Sequence, residues 1–159
     1  MKIAIGSDEK THLTDVIVEE VQKRGHDVAL FGPLAGASED WPVVSRAVAE
    51  EVARGAADEG IVFCWTGTGA SIAANKVPGV RAALVHDAET ARGARIWNHA
   101  NVLALSLRAT PEAVAREILD AWFSTPFSDD EWNKLQMERI AEMEKESQRW
   151  TSSSTTSKD

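Results

Sequence analysis

Gly60-Ile61-Val62-Phe63-Cys64-Trp65-Thr66-Gly67-Thr68-Gly69-Ala70-Ser71-Ile72-Ala73-Ala74-Asn75-Lys76 is the stretch on which the fold turns. Its first five residues are continuously apolar or small, the pattern of a strand buried on both faces. A cysteine closes that run and a Gly-x-Gly turn follows. A short helix of small residues then spans Thr68–Asn75. Strand, tight turn and helix in quick succession form the first half of a βαβ unit, from which parallel sheets are built.

The same alternation extends outward in both directions. Lys2–Ile5, Val28–Phe31, Arg81–Val85 and Asn101–Leu105 read as further apolar strands. Leu13–Arg24 carries Leu13, Val16, Ile17 and Val21 at helical spacing and stops at Gly25. Val43–Arg54 stops likewise at Gly55, and Ala88–Trp97 is a third amphipathic helix. Thr110-Pro111-Glu112 supplies an N-cap, a first-turn proline and a first-turn acid for a helix running to Trp122. A terminal helix is expected over Asp129–Gln148 with Ser128 as its cap. Repeated strand–helix alternation predicts an α/β fold, a three-layer sandwich around a doubly wound, five-stranded parallel sheet of Rossmann-like type. Residues 1–150 are read as one domain and the low-complexity tail 151–159 as disordered.

Composition bounds the function. The chain has 159 residues, 17 Lys and Arg against 25 Asp and Glu, and a net charge of −8. An acidic balance argues against nucleic-acid or anionic-membrane partners but leaves room for a small anionic ligand. One cysteine excludes an intrachain disulfide and a Cys-rich zinc site, and suits a reducing compartment. No apolar run approaches the ~18 residues of a membrane span. The opening MKIAIGSDEK turns polar too soon for a signal peptide, so a cytoplasmic protein is expected.

In a doubly wound sheet, ligands lie beyond the carboxyl ends of the strands, which draws attention to Cys64 and the turn after it. The glycines let the backbone turn sharply, and amides at a helix start aim at whatever sits there. Amides facing a sulfur favour its thiolate. A thiolate beside such amides suits proton transfer next to a carbonyl, because the base takes the carbon-bound proton and the amides hold the enediolate oxygen. A lone cysteine at a strand end is more often a small buried hydrophobe. A dinucleotide site would need a third glycine where Ile72 stands, and the GK[ST] of a P-loop is absent.

The segment GIVFCWTGTGASIAANKVPGVRAAL resembles the type B ribose-5-phosphate isomerases and the related galactose-6-phosphate isomerase subunits. The opening IAIGSD, the Asp40-Trp41-Pro42 turn, the NHANVL stretch at Asn98–Leu103 and the terminal helix fall in matching order, so the resemblance spans roughly residues 1–148. It identifies the chain as a divergent member. It implies an aldose–ketose isomerase acting on a sugar or sugar phosphate, with no metal and no organic cofactor. It also implies active sites at a homodimer interface, with dimers often pairing into tetramers and the terminal helix packing on the partner. Cys64 matches the base that moves a proton between C1 and C2, and Thr66 belongs to the same catalytic loop. Trp65, Gly67, Thr68, Gly69, Ala70 and Ser71 match the loop that holds the enediolate oxygens. Asp8 matches an acid on the sugar hydroxyls, Asn98 an amide on the substrate and Arg108 an arginine on the phosphate. All of these are expected at or beyond the carboxyl ends of strands.

Several positions depart from the family pattern. Glu9, beside the substrate acid, stands where relatives carry His, and Trp65 where they carry Gly. Trp97 occupies the place of the ring-opening histidine, with His99 two residues on. The stretch Glu131-Trp132-Asn133-Lys134-Leu135-Gln136 lies where relatives bring two arginines to the phosphate. Cations are thus replaced by acid and by aromatic surface, and Lys does not reproduce a bidentate Arg–phosphate contact. Trp65, Trp97 and Trp132 suit stacking on a sugar or filling of a subunit contact. A substrate with no ring to open, such as a tetrose phosphate, needs no ring-opening acid, whereas an unphosphorylated sugar would better explain the lost arginines. A non-catalytic sugar-binding or regulatory homologue is the competing reading. Of the remaining histidines, His12 and His26 read as solvated, and His86 stands at a strand end.

Overall fold

A computed structural model describes residues 1–155 of the chain. Five strands form one parallel sheet: β1 (Lys2–Ser7), β2 (Asp27–Phe31), β3 (Glu59–Cys64), β4 (Ala82–Leu84) and β5 (Val102–Ser106). Their order across the sheet is β2-β1-β3-β5-β4. The helices are α1 (His12–Lys23), α2 (Trp41–Ala53), α3 (Thr68–Ala74), α4 (Ala88–Asn98), α5 (Glu112–Ser124) and α6 (Glu131–Thr155), with a 3₁₀ turn at Gly32–Ala35. The crossovers from β1 to β2 and from β4 to β5 run one way along the sheet, and those from β2 to β3 and from β3 to β4 run the other way. Right-handed connections therefore put α1 and α4 on one face and α2 and α3 on the opposite one. The helix contacts agree, α2 lying on α3 while α5 packs against both α1 and α4. The expected three-layer α/β sandwich is what forms.

Strand parity makes the two faces unequal. Alternate side chains point to opposite sides of a strand. Ile3, Ile5, Ile61, Phe63, Leu103 and Leu105 fall under α1, α4 and α5 in the larger core. Ala4, Val62, Cys64, Val102 and Ala104 fall under α2 and α3, where side chains are smaller. Close approach follows: a Cβ on Gly6 would stand 2.6 Å from Val44, and one on Gly60 2.8 Å from Val48. Cys64 shares the parity of Val62, so the thiol belongs to the face covered by α3.

Element ends differ from the sequence reading where neighbours decide them. β1 continues through Ser7 because Gly6 pairs with Phe31 and Val62, and Ser7 with Phe63. α2 starts at Trp41, since Pro42 needs no amide partner in a first turn. Pro111, not Thr110, is the N-cap of α5. α6 is capped by Asp130, whose Oδ1 accepts from Trp132 N at 2.9 Å and Asn133 N at 3.2 Å; Ser128 instead accepts from Asp130 N. The helix runs on through Thr155, so the first part of the tail expected to be disordered continues α6, and residues 156–159 lie outside the described residues.

One buried polar cluster binds the layers together. Glu59, at the start of β3, pairs with Arg95 of α4 at 2.7 Å, and its other oxygen accepts from Trp122 Nε1 at 2.6 Å. Arg95 also donates to Ala100 O at 2.8 Å and Thr125 O at 3.3 Å, and its guanidinium lies over the Trp122 and Phe127 rings. Burial pushes the Glu59 carboxyl up and the Arg95 guanidinium down, and the opposite charge of each counters the shift. Removing one partner leaves the other buried and uncompensated. Arg95→Ala should therefore lower unfolding free energy by about 3–5 kcal/mol in urea titrations.

A second cluster joins α1 to α5. Glu20 is held by Arg24, Arg116 and Lys23. Hydrogen bonds from Arg24 and Arg116 lower its carboxyl from 4.5 to about 2. A depressed carboxylate stabilises the fold above its unfolded value, and that stabilisation is lost as pH falls from 4.5 towards 2. The fall in melting temperature across that window should be shallower in Glu20→Gln than in the natural chain.

Candidate active site

The central strands β1 and β3 are where the chain's crossovers diverge, so a crevice is expected outside their carboxyl ends. β1 delivers Asp8 there, β3 delivers Cys64, and β5 delivers Arg108. Two backbone bonds lace the loops after β3 and β5 together: Leu107 N donates to Cys64 O at 3.0 Å and Arg108 N to Trp65 O at 3.1 Å. Ser106 Oγ donates to Trp65 O at 2.9 Å. Trp65 is 59% exposed beside this seam, and Arg108 is exposed as well.

Gly67 makes the turn. It is the N-cap of α3 with φ 77°, a left-handed conformation that favours glycine. A Cβ there would also stand 2.6 Å from Leu84 Cδ1 and 2.9 Å from Leu105 C. The turn brings the start of α3 back over the strand end, and Ala70 N donates to Cys64 Sγ at 3.4 Å. Cys64 is only 6% exposed. The Thr66 and Thr68 hydroxyls are hydrogen-bonded to each other at 2.7 Å. The Trp41 ring, in the first turn of α2, covers Gly69 so closely that a Cβ there would lie 3.1 Å from it.

Asp8 contributes an acid with an unmet acceptor. Its Oδ1 is buried with no hydrogen-bond partner in the protein. Burial raises its carboxyl above the usual range, and the nearby Glu9 and Asp40 charges add to the rise. Glu9 is exposed, with its N–H on Ser7 Oγ at 3.2 Å. Such an acceptor is one that a ligand hydroxyl satisfies.

The structure brings Asp8, Cys64, Trp65, Thr66, Gly67, Thr68, Gly69 and Arg108 to one end of the sheet, and it corrects one expectation, the place of Asn98. Ser71 N donates to Gly67 O at 3.0 Å, closing the first turn of α3, and Ser71 Oγ donates to Ala82 O at 3.4 Å. Ala70 N is on the sulfur. The amides of Ala70 and Ser71 thus have partners within the chain, and so does that of Gly67, which donates to Cys64 O at 3.2 Å. Asn98 does not lie at a carboxyl end. It ends α4, which runs back along the sheet for about 16 Å to the amino end of β5. Asn98 and Trp97 therefore sit at the opposite end of the same chain from Cys64.

There they line a groove of about 670 Å³ between α4 and α6 with Trp132, Gln136, Arg139 and Ile140. Lys134 is paired with Glu131 at 3.1 Å, and Arg139 donates to Gln136 at 3.0 Å. His99 caps α4 with φ 46°, its Nε2 is buried, and its ring is stacked on Phe127 at 4.9 Å. It is turned into the protein and does not stand in for a histidine at Trp97. His12 pairs with Glu112 on the surface, and His26 packs on Phe123 at 4.6 Å. Among the described residues no group of three or more His, Cys, Asp or Glu is placed to hold a metal ion, and no helix is long and apolar enough to cross a membrane. Two features escaped the sequence reading. Trp41 was visible only as part of a turn, and the Glu59–Arg95 pair was signalled only by an acid opening an otherwise apolar strand.

A thiol under a glycine turn, with an unsatisfied acid alongside, stands at the carboxyl end of a five-stranded parallel sheet. The sequence pattern of the Ribose/Galactose Isomerase family matches residues 3–142. The structure of ribose-5-phosphate isomerase B from Clostridium thermocellum superposes with a TM-score of 0.86 and 41% identity, covering 92% of this chain and 99% of that one. Galactose-6-phosphate isomerase subunit LacB of Clostridium acetobutylicum is 37% identical over 147 residues, 90% of this chain and 83% of that protein. D-erythrulose-4-phosphate isomerase of Pectobacterium atrosepticum is 36% identical over 129 residues, 80% and 85% of the two chains. The chain belongs to the ribose/galactose isomerase family, and its class is that of the aldose–ketose isomerases.

The turn at Gly67 has no tolerance for a side chain. Gly67→Ala should cost about 2–4 kcal/mol from the backbone strain and the collision with Leu84 and Leu105 together. Urea denaturation measures the loss.

Proposed function

We propose that this protein interconverts the aldose and ketose forms of a sugar phosphate that has no ring to open, with D-erythrulose 4-phosphate and its aldose as the pair. The observation that carries the reading is the Cys64 sulfur, held at the start of α3 by the Ala70 amide in a nearly closed site. As thiolate, Cys64 takes the proton from the carbon beside the carbonyl. The electrons of that C–H bond form the carbon–carbon double bond of an enediolate, and the carbonyl oxygen becomes the oxyanion. The backbone between Trp65 and Gly69 holds that oxygen, and the paired Thr66 and Thr68 hydroxyls carry the proton exchanged between O1 and O2. The Cys64 thiol then returns its proton to the neighbouring carbon. Asp8 accepts from a sugar hydroxyl through its free oxygen, and Arg108 meets the phosphate.

The other half of the site comes from a second copy of the chain. Trp97 and Asn98 lie at the far end of the sheet from Cys64, and α3 runs between the two ends with Ile72 60% exposed on its outer side. A two-fold axis across α3 sets the Cys64 end of one protomer against the Asn98 end of its partner, and it does so twice. At that position stand an indole, an amide and an arginine, none of which transfers a proton at neutral pH, while His99 is turned inward. A pentose or hexose phosphate must have its ring opened. A tetrose 4-phosphate has its ring-closing oxygen esterified and is always acyclic.

The test is a panel of D-erythrulose 4-phosphate, D-ribose 5-phosphate and D-galactose 6-phosphate assayed for turnover and for solvent-deuterium incorporation at the transferred position. Turnover is expected to be at least tenfold faster with the four-carbon substrate. Cys64→Ala should lower kcat by about 10²–10⁴-fold and abolish deuterium uptake. Binding of these sugars without turnover by the natural chain would instead make it a non-catalytic homologue.

A further inference from the structure

Trp97 does not simply project from α4. The edge of its benzo ring lies close over Gly93, one turn back, so that a Cβ on Gly93 would stand 2.8 Å from the Cζ3 atom and 3.0 Å from Cε3. Long helical side chains lean back over the residue four positions earlier, and only a glycine there lets an indole settle onto the helix itself. Glycine in a helix interior is unfavourable relative to alanine, and Gly93 is buried by this ring. The outer face of the indole remains open, with Trp97 60% exposed at the mouth of the groove that holds Asn98, Gln136 and Arg139. Trp97 is thus a flat apolar surface settled against Gly93, lining one groove with an amide and an arginine.

We propose that Trp97, positioned by Gly93, determines the length of the acyclic substrate, admitting four carbons and rejecting five. The inference rests on the reading that this groove closes over the Cys64 site of a second copy. The carbon face of a short chain lies against the indole while its hydroxyls meet Asn98 and Asp8. A fifth carbon brings one further hydroxyl against a surface with no donor or acceptor on its face, stripping that hydroxyl of water without replacement. Discrimination of this kind is worth roughly 10–100-fold. Gly93 lets the ring settle against the helix in this position, which makes it the positioning residue for the indole.

The experiment compares kcat/KM for D-erythrulose 4-phosphate and D-ribulose 5-phosphate, both ketoses, in the natural dimer, Gly93→Ala, Trp97→Ala and the double variant. The natural chain is expected to favour the four-carbon ketose by at least tenfold. Gly93→Ala should reduce that preference about tenfold, mostly through KM, without lowering the melting temperature. In the Trp97→Ala background the glycine substitution should change the ratio by less than twofold. A preference that stays within twofold of the natural value in Gly93→Ala overturns the inference, and so does an equal effect of that substitution with and without Trp97. Turnover of neither ketose by the natural chain would overturn the isomerase reading and this inference with it, whereas turnover with an unmoved ratio would overturn the inference alone.

Discussion

The buried pair of Glu59 and Arg95 holds the architecture in register. Neither charge survives alone in the interior, so wherever the carboxylate at the start of β3 goes, the guanidinium of α4 must follow. Trp122 completes the cluster by donating its indole N–H to the second carboxylate oxygen, which anchors α5 to the same point. The backbone carbonyls of Ala100 and Thr125 accept from two more N–H groups of Arg95. The consequence is functional as well as structural. The end of α4, with Trp97 and Asn98, hangs from this cluster, and so does the segment that leads into α6.

At the opposite end of β3 the constraint is one of parity and space. Cys64 is two residues beyond Val62 and points to the same side, into the layer of small residues beneath α3. Gly67 then reverses the chain in the one backbone conformation that fits between Leu84 and Leu105, which lowers the first turn of α3 onto the sulfur. The same strand therefore carries a buried ion pair at its amino end and the thiol at its carboxyl end. Rigidity at one end sets where the groove between α4 and α6 lies, and the tight turn at the other sets what covers the sulfur.

The stretch from Gly60 to Lys76 was readable because its signals are local. An apolar run, a glycine turn and a small-residue helix each constrain only their own few residues, and they put Cys64 at a strand end, Thr66 and Gly67 in the turn after it and Thr68 at the start of a helix. Asp8 and Arg108 were legible for the same reason, since each directly follows a strand. Asn98 was misplaced because the order of residues says it precedes β5 without saying that a helix running antiparallel to the strands must end at their amino side. Whether an amide in a first turn is free depends on a partner four residues earlier, which for Ser71 is Gly67. The contact of Gly93 with the Trp97 ring was invisible, for nothing in a helical pattern shows which ring will meet which backbone.

By itself the sequence determined the alternation of strand and helix, the parallel sheet that must follow from it, and the single thiol at a strand end. Those features depend on hydrophobic period, turn chemistry and residue type, all of which act over a few neighbours. The tertiary structure alone decided the strand order, the inward turn of His99, the burial of Glu59 with Arg95, and the separation of Asn98 and Trp97 from Cys64 within one chain. Each of these arises from contacts between residues far apart in the chain, where burial makes an unpaired charge or an overlapping atom costly enough to select one arrangement.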